Sequence, residues 1–251
     1  MLNVIETGTD TGAPPLLIAH GLFGSARNWG VIAKRLAAEG RRVLAVDMRN
    51  HGQSPWFDSH DYPDMAEDLA RVIADHGPMD VLGHSMGGKA AMLLALSRPD
   101  LVRKLVVADI APVAYGHTQS HNIEAMRRVP LDRIESRGQA AEALAIEEPD
   151  VAAFLLQSLD MAERRWRLNL DVLDREMPKI VGWPEVEGRF DGPTLFLSGG
   201  ASDYVTRDAR PIAREMFPAA RFASIPGAGH WLHAQKPREF EAALRAFLDA
   251  T

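Results

Sequence analysis

Gly83-His84-Ser85-Met86-Gly87 constrains this chain more than any other stretch. The short run Asp80-Val-Leu82 leads into it, and a helix-period segment from Ser85 to Ser97 leaves it, with Pro99 closing the helix. A serine with glycine two residues away on each side suits a sharp strand-to-helix turn, where larger side chains would strike the neighbouring backbone. Such a turn lifts the hydroxyl clear of the strand ends. The helix that follows aims its first N–H groups and the positive end of its dipole at any negative charge formed there. Ser85 is therefore the candidate nucleophile.

The same residues carry most of a second motif. Gly83 to Lys89 reads G-x-x-x-x-G-K, but Ala90 stands where a phosphate-binding loop needs Ser or Thr to hold Mg²⁺. No apolar strand ending in a magnesium-binding aspartate stands out elsewhere. Nucleotide chemistry is set aside, and Lys89 is expected along the helix with its ammonium reaching solvent or a nearby acid.

Around this turn the chain alternates between two patterns. Short apolar runs at Leu16–Ala19, Val43–Val46, Asp80–Leu82, Leu105–Ala108, Thr194–Leu197 and Arg221–Ile225 read as strands. Between them lie helix-period stretches, including Arg27–Glu39 with Trp29, Ile32, Ala33 and Leu36 on one face, and a last helix opened by Pro237. Strands alternating with helices imply a mostly parallel central sheet covered on both faces, which explains the unbroken aliphatic runs. From about Pro112 to Gly192 the strand rhythm stops. Only helix signals remain, such as the Ser136/Gln139 capping box and Asp150 ahead of Val151, Phe154 and Leu155. This reads as a helical cap over the carboxyl edge of the sheet, where open α/β folds bind ligands. The expected division is a core of residues 1–112 and 191–251 with a cap, 113–190, inserted after the strand ending near Asp109.

Composition removes several alternatives. The chain has no cysteine, so disulfides, thiolate metal sites and cysteine nucleophiles are excluded. A formal charge of −6 over 251 residues argues against a nucleic-acid backbone as partner. No apolar run reaches membrane-spanning length, and the first residues lack a signal peptide's basic and apolar segments, so a cytoplasmic location is expected.

Two further segments point to the same chemistry. His20-Gly21-Leu22-Phe23-Gly24 ends the first clear strand, where a loop N–H joins the N–H after the nucleophile to bind an oxyanion. The expected donors are Leu22 and Met86, with Phe23 the lesser choice, and His20 is expected to pin the loop. Gly227-Ala-Gly-His230-Trp231 follows the last strand, and His230 is the candidate base, with His233 entering the last helix. His51 sits in a loop expected to border the pocket. His117 and His121, four apart, could share a helix face, but no third metal ligand is near, so they are expected to line the cap.

The stretches HGLFGSARNW, VDMRNHGQSPW, GHSMGGKAAM, VVADIAPVAYG, LSGGASDYV and GAGHWLHAQKP together resemble the YbfF-type esterases of the α/β-hydrolase superfamily, a group with a mitochondrial abhydrolase-domain branch. The resemblance runs from about His20 to Pro237. It implies a carboxylester hydrolase acting on small-molecule short-acyl esters, with acyl-CoA thioesters as a second class, and no cofactor or metal. Ser85 and His230 take the nucleophile and base positions, with Phe23, His84, Ser202 and Trp231 around them as support. The acid stays open between two strand ends. Counting from Gly200, the usual Gly-x-x-Asp position falls on Asp203; counting from Gly199, it falls on Ser202. The resemblance instead puts the acid at Asp109 in DIAPV, with Asp203 the alternative and Asp171 in the cap a third candidate.

Serine at position 85 excludes the fold's dehalogenase and epoxide-hydrolase chemistries, which need aspartate there. Carbon–carbon bond hydrolases and cofactor-free perhydrolases share the Ser-His-Asp set and remain alternatives. A non-catalytic ligand receptor would be favoured only if a triad position were lost. Substrate choice is expected to lie in the cap, with Phe154 and Trp166 sizing the acyl pocket. Arg127, Arg128, Arg164, Arg165 and Arg167 are expected to form mainly a solvated face.

Overall fold

A computed structural model describes residues 1–250. A short antiparallel strand β1 (Val4–Thr7) opens the chain, followed by β2 (Leu16–Ala19), a 3₁₀ turn at Ala26–Trp29, α1 (Gly30–Ala38) and β3 (Val43–Val46). Next come α2 (Tyr62–Ala74), β4 (Met79–His84), α3 (Met86–Ser97) and β5 (Val102–Ala108). Between β5 and the next sheet strand lie α4 (Ser120–Arg128), α5 (Arg137–Leu144), α6 (Pro149–Leu156), a hairpin of β6 (Leu159–Asp160) and β7 (Arg165–Trp166), α7 (Leu170–Arg175) and α8 (Met177–Val181). The chain closes with β8 (Thr194–Gly199), α9 (Ala209–Met216), β9 (Ala220–Ile225), α10 (Leu232–Gln235) and α11 (Pro237–Leu248).

The sheet order is β1-β3-β2-β4-β5-β8-β9, parallel except for β1. Alternate residues of each strand face opposite layers. Leu16, Ile18, Leu82, Val106 and Leu197 pack with Ile32 and Leu36 of α1 and Phe240 and Leu244 of α11. Leu17, Val81, Val107 and Phe196 face the other way, into α2, α3 and α9. That second layer runs on into Ile123, Met126, Leu155 and Leu173, so the inserted helices share one core with the sheet. Helix α3 is buried from Met86 to Leu96, as expected for a helix apolar on nearly every side.

Three expectations need correction, and one strand lies outside them. The region from 112 to 192 is not free of strands: β6 and β7 pair there as two-residue strands, too short to leave a periodic signal. Asp160 sets up their turn, its Oδ1 accepting the N–H groups of Ala162 and Glu163. The half-exposed edge strand β1 was not anticipated. At α5, Ser136 accepts from the Gln139 N–H as a capping box requires, but the Gln139 side chain accepts from the Glu135 N–H instead of returning to Ser136. His233 lies in the separate short helix α10, because Lys236 leaves helical angles and Pro237 starts α11 afresh.

Among the described residues no helix is long and apolar enough to cross a membrane.

Candidate active site

Strand register brings the site together. His84 pairs with Ala108, and Ala108 with Leu197, so β4 and β5 end at one level while β8 runs on two residues to Gly199. The ladder continues for one more bond on each side, Ser85 N–H to Ala108 O at 3.0 Å and Asp109 N–H to Leu197 O at 2.9 Å. Ser85 and Asp109 both then take left-handed backbone angles, with φ of 53° and 52°. That conformation is strained for residues with a side chain and holds only where the surroundings over-determine it. The two glycines make the turn at Ser85 possible. A Cβ on Gly83 would lie 2.2 Å from Gly87 O, and one on Gly87 would lie 2.4 Å from Ala19 O.

Three candidate residues meet in one chain of hydrogen bonds. Ser85 Oγ lies 3.0 Å from His230 Nε2, and His230 Nδ1 lies 2.8 Å from Asp109 Oδ2. Asp109 is fully buried. Its Oδ1 accepts from the Gly199 N–H at 2.9 Å and its Oδ2 from the Ser202 hydroxyl at 2.5 Å. These donors hold the carboxylate facing the imidazole, so Nδ1 carries the proton and Nε2 is left to accept from Ser85. Asp203 is exposed and makes no hydrogen bond or ion pair among the described residues. Asp171 is at the surface, paired with Arg127 at 2.7 Å.

The supporting residues have distinct contacts. His84 Nε2–H donates to the His230 carbonyl at 2.9 Å, which ties the base's loop to the end of β4. Burial, then the nearby rings of His233 and His230, hold His84 well below the usual imidazole range, so it stays neutral. His233 stacks on Trp29 with centroids 4.3 Å apart, and burial pushes it down to about 3. Tyr204 stacks on His230 at 4.1 Å. Sequence reasoning missed this contact, although Tyr204 lies two residues beyond Ser202. Trp231 and Phe154 pack together across the pocket with centroids 5.4 Å apart.

The backbone N–H groups of Leu22 and Met86 have no acceptor among the described residues, and both residues line the pocket. The Phe23 N–H is taken by His51 Nε2 at 3.1 Å, which removes the lesser candidate donor. His51 itself is fully buried and does not line the pocket, contrary to expectation.

Lys89 also departs from expectation. It reaches neither solvent nor an acid; it is 1% exposed, and its ammonium donates to the carbonyls of Val181 at 3.0 Å and Gly182 at 2.5 Å. The nitrogen lies 4.6 Å from the centre of the Tyr115 ring. Position 89 is one helical turn from Ser85, and its side chain runs along the pocket to the carbonyls of Val181 and Gly182.

The pocket has a volume of about 520 Å³ and opens over Ser85. The strand-end loops supply one wall. Residues of the inserted segment, among them Asn122, Ala125, Val151 and Phe154, supply the other. Trp166 is not in that wall. It is buried inside the inserted segment, with Nε1–H donating to Met126 O at 3.0 Å. His117 and His121 do line the pocket, but His117 precedes α4 and shares no helix face with His121. His117 Nε2 lies 2.9 Å from the Tyr204 hydroxyl. No group of three acidic or imidazole side chains suited to a metal is found among the described residues.

Comparison with known proteins agrees with this geometry. A family model described as the alpha/beta hydrolase fold matches residues 14–237. The sn-1-specific diacylglycerol lipase ABHD11 of Mus musculus is 41% identical over 254 residues, spanning 95% of this chain and 82% of its own. Esterase YbfF of Escherichia coli (strain K12) is 41% identical over 242 residues, spanning 94% of this chain and 93% of its own. Among solved structures, a marine microorganism esterase superposes with a TM-score of 0.92 at 36% identity, covering 98% of each chain. Motifs, strand order and near full-length relatives thus converge, and the chain belongs to the α/β-hydrolase family, within the group of YbfF-type esterases.

Proposed function

We propose that this protein hydrolyses small-molecule carboxylic esters through an acyl-enzyme on Ser85. The observation that carries the reading is the unbroken chain Asp109–His230–Ser85 beneath a pocket with two unpaired N–H groups. His230 Nε2 takes the hydroxyl proton as Ser85 Oγ attacks the ester carbonyl. The negative charge moves to the carbonyl oxygen, where the N–H groups of Leu22 and Met86 receive it and the dipole of α3 adds to their field. Asp109 balances the imidazolium. Collapse breaks the bond to the alcohol, which leaves with the proton from His230. Water then repeats the sequence on the acyl-enzyme and releases the acid.

The cap, residues 113–190, selects the acyl group. A pocket of about 520 Å³ with Phe154, Val151 and Ala125 in its wall suits a short acyl chain beside a small alcohol. The esterase and lipase names of the relatives support the ester class.

One observation favours thioesters as a second substrate class. Of the cap arginines, Arg127 and Arg167 are tied to carboxylates and Arg164 to a backbone carbonyl, whereas Arg128 lines the pocket, where it could meet an anionic leaving group. The carboxylates of Glu147 and Glu148 line the same pocket and oppose that field.

A fluorophosphonate probe tests the central claim. It should label Ser85 in the wild type and leave Ser85→Ala unlabelled, with turnover of p-nitrophenyl esters falling by about 10³-fold or more. Labelling at another serine, or esters inert while carbon–carbon bond or peracid substrates turn over, overturns it. Acyl-CoAs run in parallel decide the thioester reading; Arg128→Ala should weaken them alone.

A further inference from the structure

Two buried histidines outside the Ser85–His230–Asp109 chain exchange hydrogen bonds between two loops. His20 lies on the loop that carries Leu22, and its Nε2 accepts from the Met48 N–H at 2.9 Å. His51 lies on the loop that carries Met48, and its Nε2 accepts from the Phe23 N–H at 3.1 Å. Each ring uses its other nitrogen on its own loop. His20 Nδ1–H donates to Gly21 O at 2.8 Å, and His51 Nδ1–H donates to Arg49 O at 2.8 Å. Both rings are therefore neutral Nδ1–H tautomers, as Nε2 can accept only in that form. Burial supports this by lowering both below the usual imidazole range. The rings pack 5.1 Å apart.

The consequence falls on the peptide planes of the loop. Gly21 C=O and Leu22 N–H belong to one trans peptide and point in opposite directions. Gly21 O is held inward by His20 Nδ1–H and by the Gly24 N–H at 3.0 Å, so the Leu22 N–H is turned outward. The next plane is fixed by the bond from Phe23 N–H to His51. Phe23 needs that anchor, because its φ of 64° is strained for a residue with a side chain. Beyond His51, the ring of His60 follows at 5.3 Å, with its Nε2 3.2 Å from the sulfur of Met86, the residue that bears the other unpaired N–H.

We propose that His20 and His51 form a reciprocal clasp that aims the Leu22 N–H at the reacting carbonyl oxygen, with His51 acting as a positioning residue. The proposal rests on the reading that this N–H receives the oxyanion. It assigns a role in catalysis to the histidine of VDMRNHG, which neither touches substrate nor lines the pocket.

The test compares a ligand that develops an oxyanion with one that does not. In His51→Phe, kcat on p-nitrophenyl esters should fall about 10²-fold while KM stays within about threefold, the signature of a lost oxyanion donor. Affinity for an alkyl trifluoromethyl ketone, which forms a hemiketal oxyanion on Ser85, should fall in parallel. Affinity for an alkyl ether of the same length should not change. His51→Gln, whose carbonyl reaches the place of Nε2, should recover at least about tenfold of the loss. If the phenylalanine variant does not fold, His51→Asn, whose carbonyl falls short, takes its place with the same expectation. A kcat within threefold of wild type in both loss variants, or equal weakening of ketone and ether, overturns the clasp. If the wild-type enzyme fails to bind the ketone more tightly than the ether, the fault lies in the oxyanion reading itself, and the clasp falls with it.

Discussion

The pocket's two walls are held by different bonds. On the strand-end wall almost every polar group has a fixed partner: Asp109 with its three donors, His20 and His51 across their loops, and His84 on the His230 carbonyl. Its backbone is forced into left-handed angles at Phe23, Ser85 and Asp109. The helical wall sets apolar side chains such as Ala125, Val151 and Phe154 beside Arg128, Glu147 and Glu148, while Arg127 pairs with Asp171 and Asp174 at the surface. Hydrogen bonds in the first wall set atoms to within tenths of an ångström, as proton transfer requires. Dispersion contacts in the second fill space and tolerate changes of shape. Under the proposed function, reaction would belong to the first wall and selection to the second.

The sharpest way to break this comparison is at the acid. Asp109→Asn keeps the size of the side chain and removes its charge, leaving His230 free to take the wrong tautomer. Turnover should fall about 10³- to 10⁴-fold, whereas Asp203→Asn at the exposed site should change it by less than about twofold. Steady-state kinetics on one p-nitrophenyl ester decides between them. A crippled Asp203→Asn beside a near-normal Asp109→Asn would move the acid to the β8 end.

The second test uses acid. His60 and His233 are pushed down to about 3 by burial, and His20, His51 and His84 are lowered by the same cause. Unfolded, these rings titrate near 6.5. Below pH 6.5 the unfolded chain binds more protons, so the stability of the neutral rings is present above pH 6.5 and lost as pH falls through each lowered folded value, about 3 for His60 and His233. Each ring contributes up to about 1.4 kcal/mol per pH unit in that window. Urea unfolding at pH 7, 5.5 and 4.5 should show a steep decline before most carboxylates titrate. A flat profile over that range would mean that the strand-end wall tolerates charged imidazoles.

Legibility follows the same division. Ser85, His230 and the loop holding Leu22 were readable because each is marked by a local motif at a strand end. Which carboxylate meets His230 was not readable from residues alone, since Gly199-Gly200 admits two registers; the likeness of DIAPV pointed to Asp109. The clasp of His20 and His51, the stacking of Tyr204 and the burial of Lys89 join segments far apart in sequence, and periodicity carries no such information. The inserted segment showed its helices but hid its hairpin, and it misled about Trp166, which looked like a pocket residue and is an internal brace of the cap.

That difference between Phe154 and Trp166 gives the third test. Phe154→Ala opens the wall beside Trp231 and should shift the ratio of kcat/KM for hexanoate over acetate esters by about tenfold, close to what a few buried methylenes can discriminate. Trp166→Phe removes the bond to Met126 O and part of a buried ring, without touching the pocket wall. It should lower the melting temperature and leave the chain-length ratio within about twofold. Equal shifts from both would mean that the whole cap responds as one packed unit.

The smallest effect is expected where the two walls meet. Lys89 rises from α3, and its ammonium holds the carbonyls at the end of α8, with no carboxylate partner among the described residues. Burial pushes this ammonium down to about 7. The two carbonyls and the face of Tyr115 act against burial by favouring the charged form. In the unfolded chain the group titrates near 10.5, so between these values unfolding takes up a proton. The stability tied to the neutral amine is therefore present above 10.5 and lost as pH falls toward 7. Lys89→Met leaves Gly182 O unpaired at every pH, so the absolute cost is less informative than its trend. Wild type should gain on the variant from pH 7 to pH 9 at up to about 1.4 kcal/mol per unit, the slope being shallower near pH 7 where the group is still partly charged in the fold. Thermal unfolding at the two pH values measures the gain. A difference that does not change with pH would show an ammonium still charged at pH 9, with the carbonyl cradle outweighing burial. The seam would then be held by a charged donor on two carbonyls, and not by packing alone.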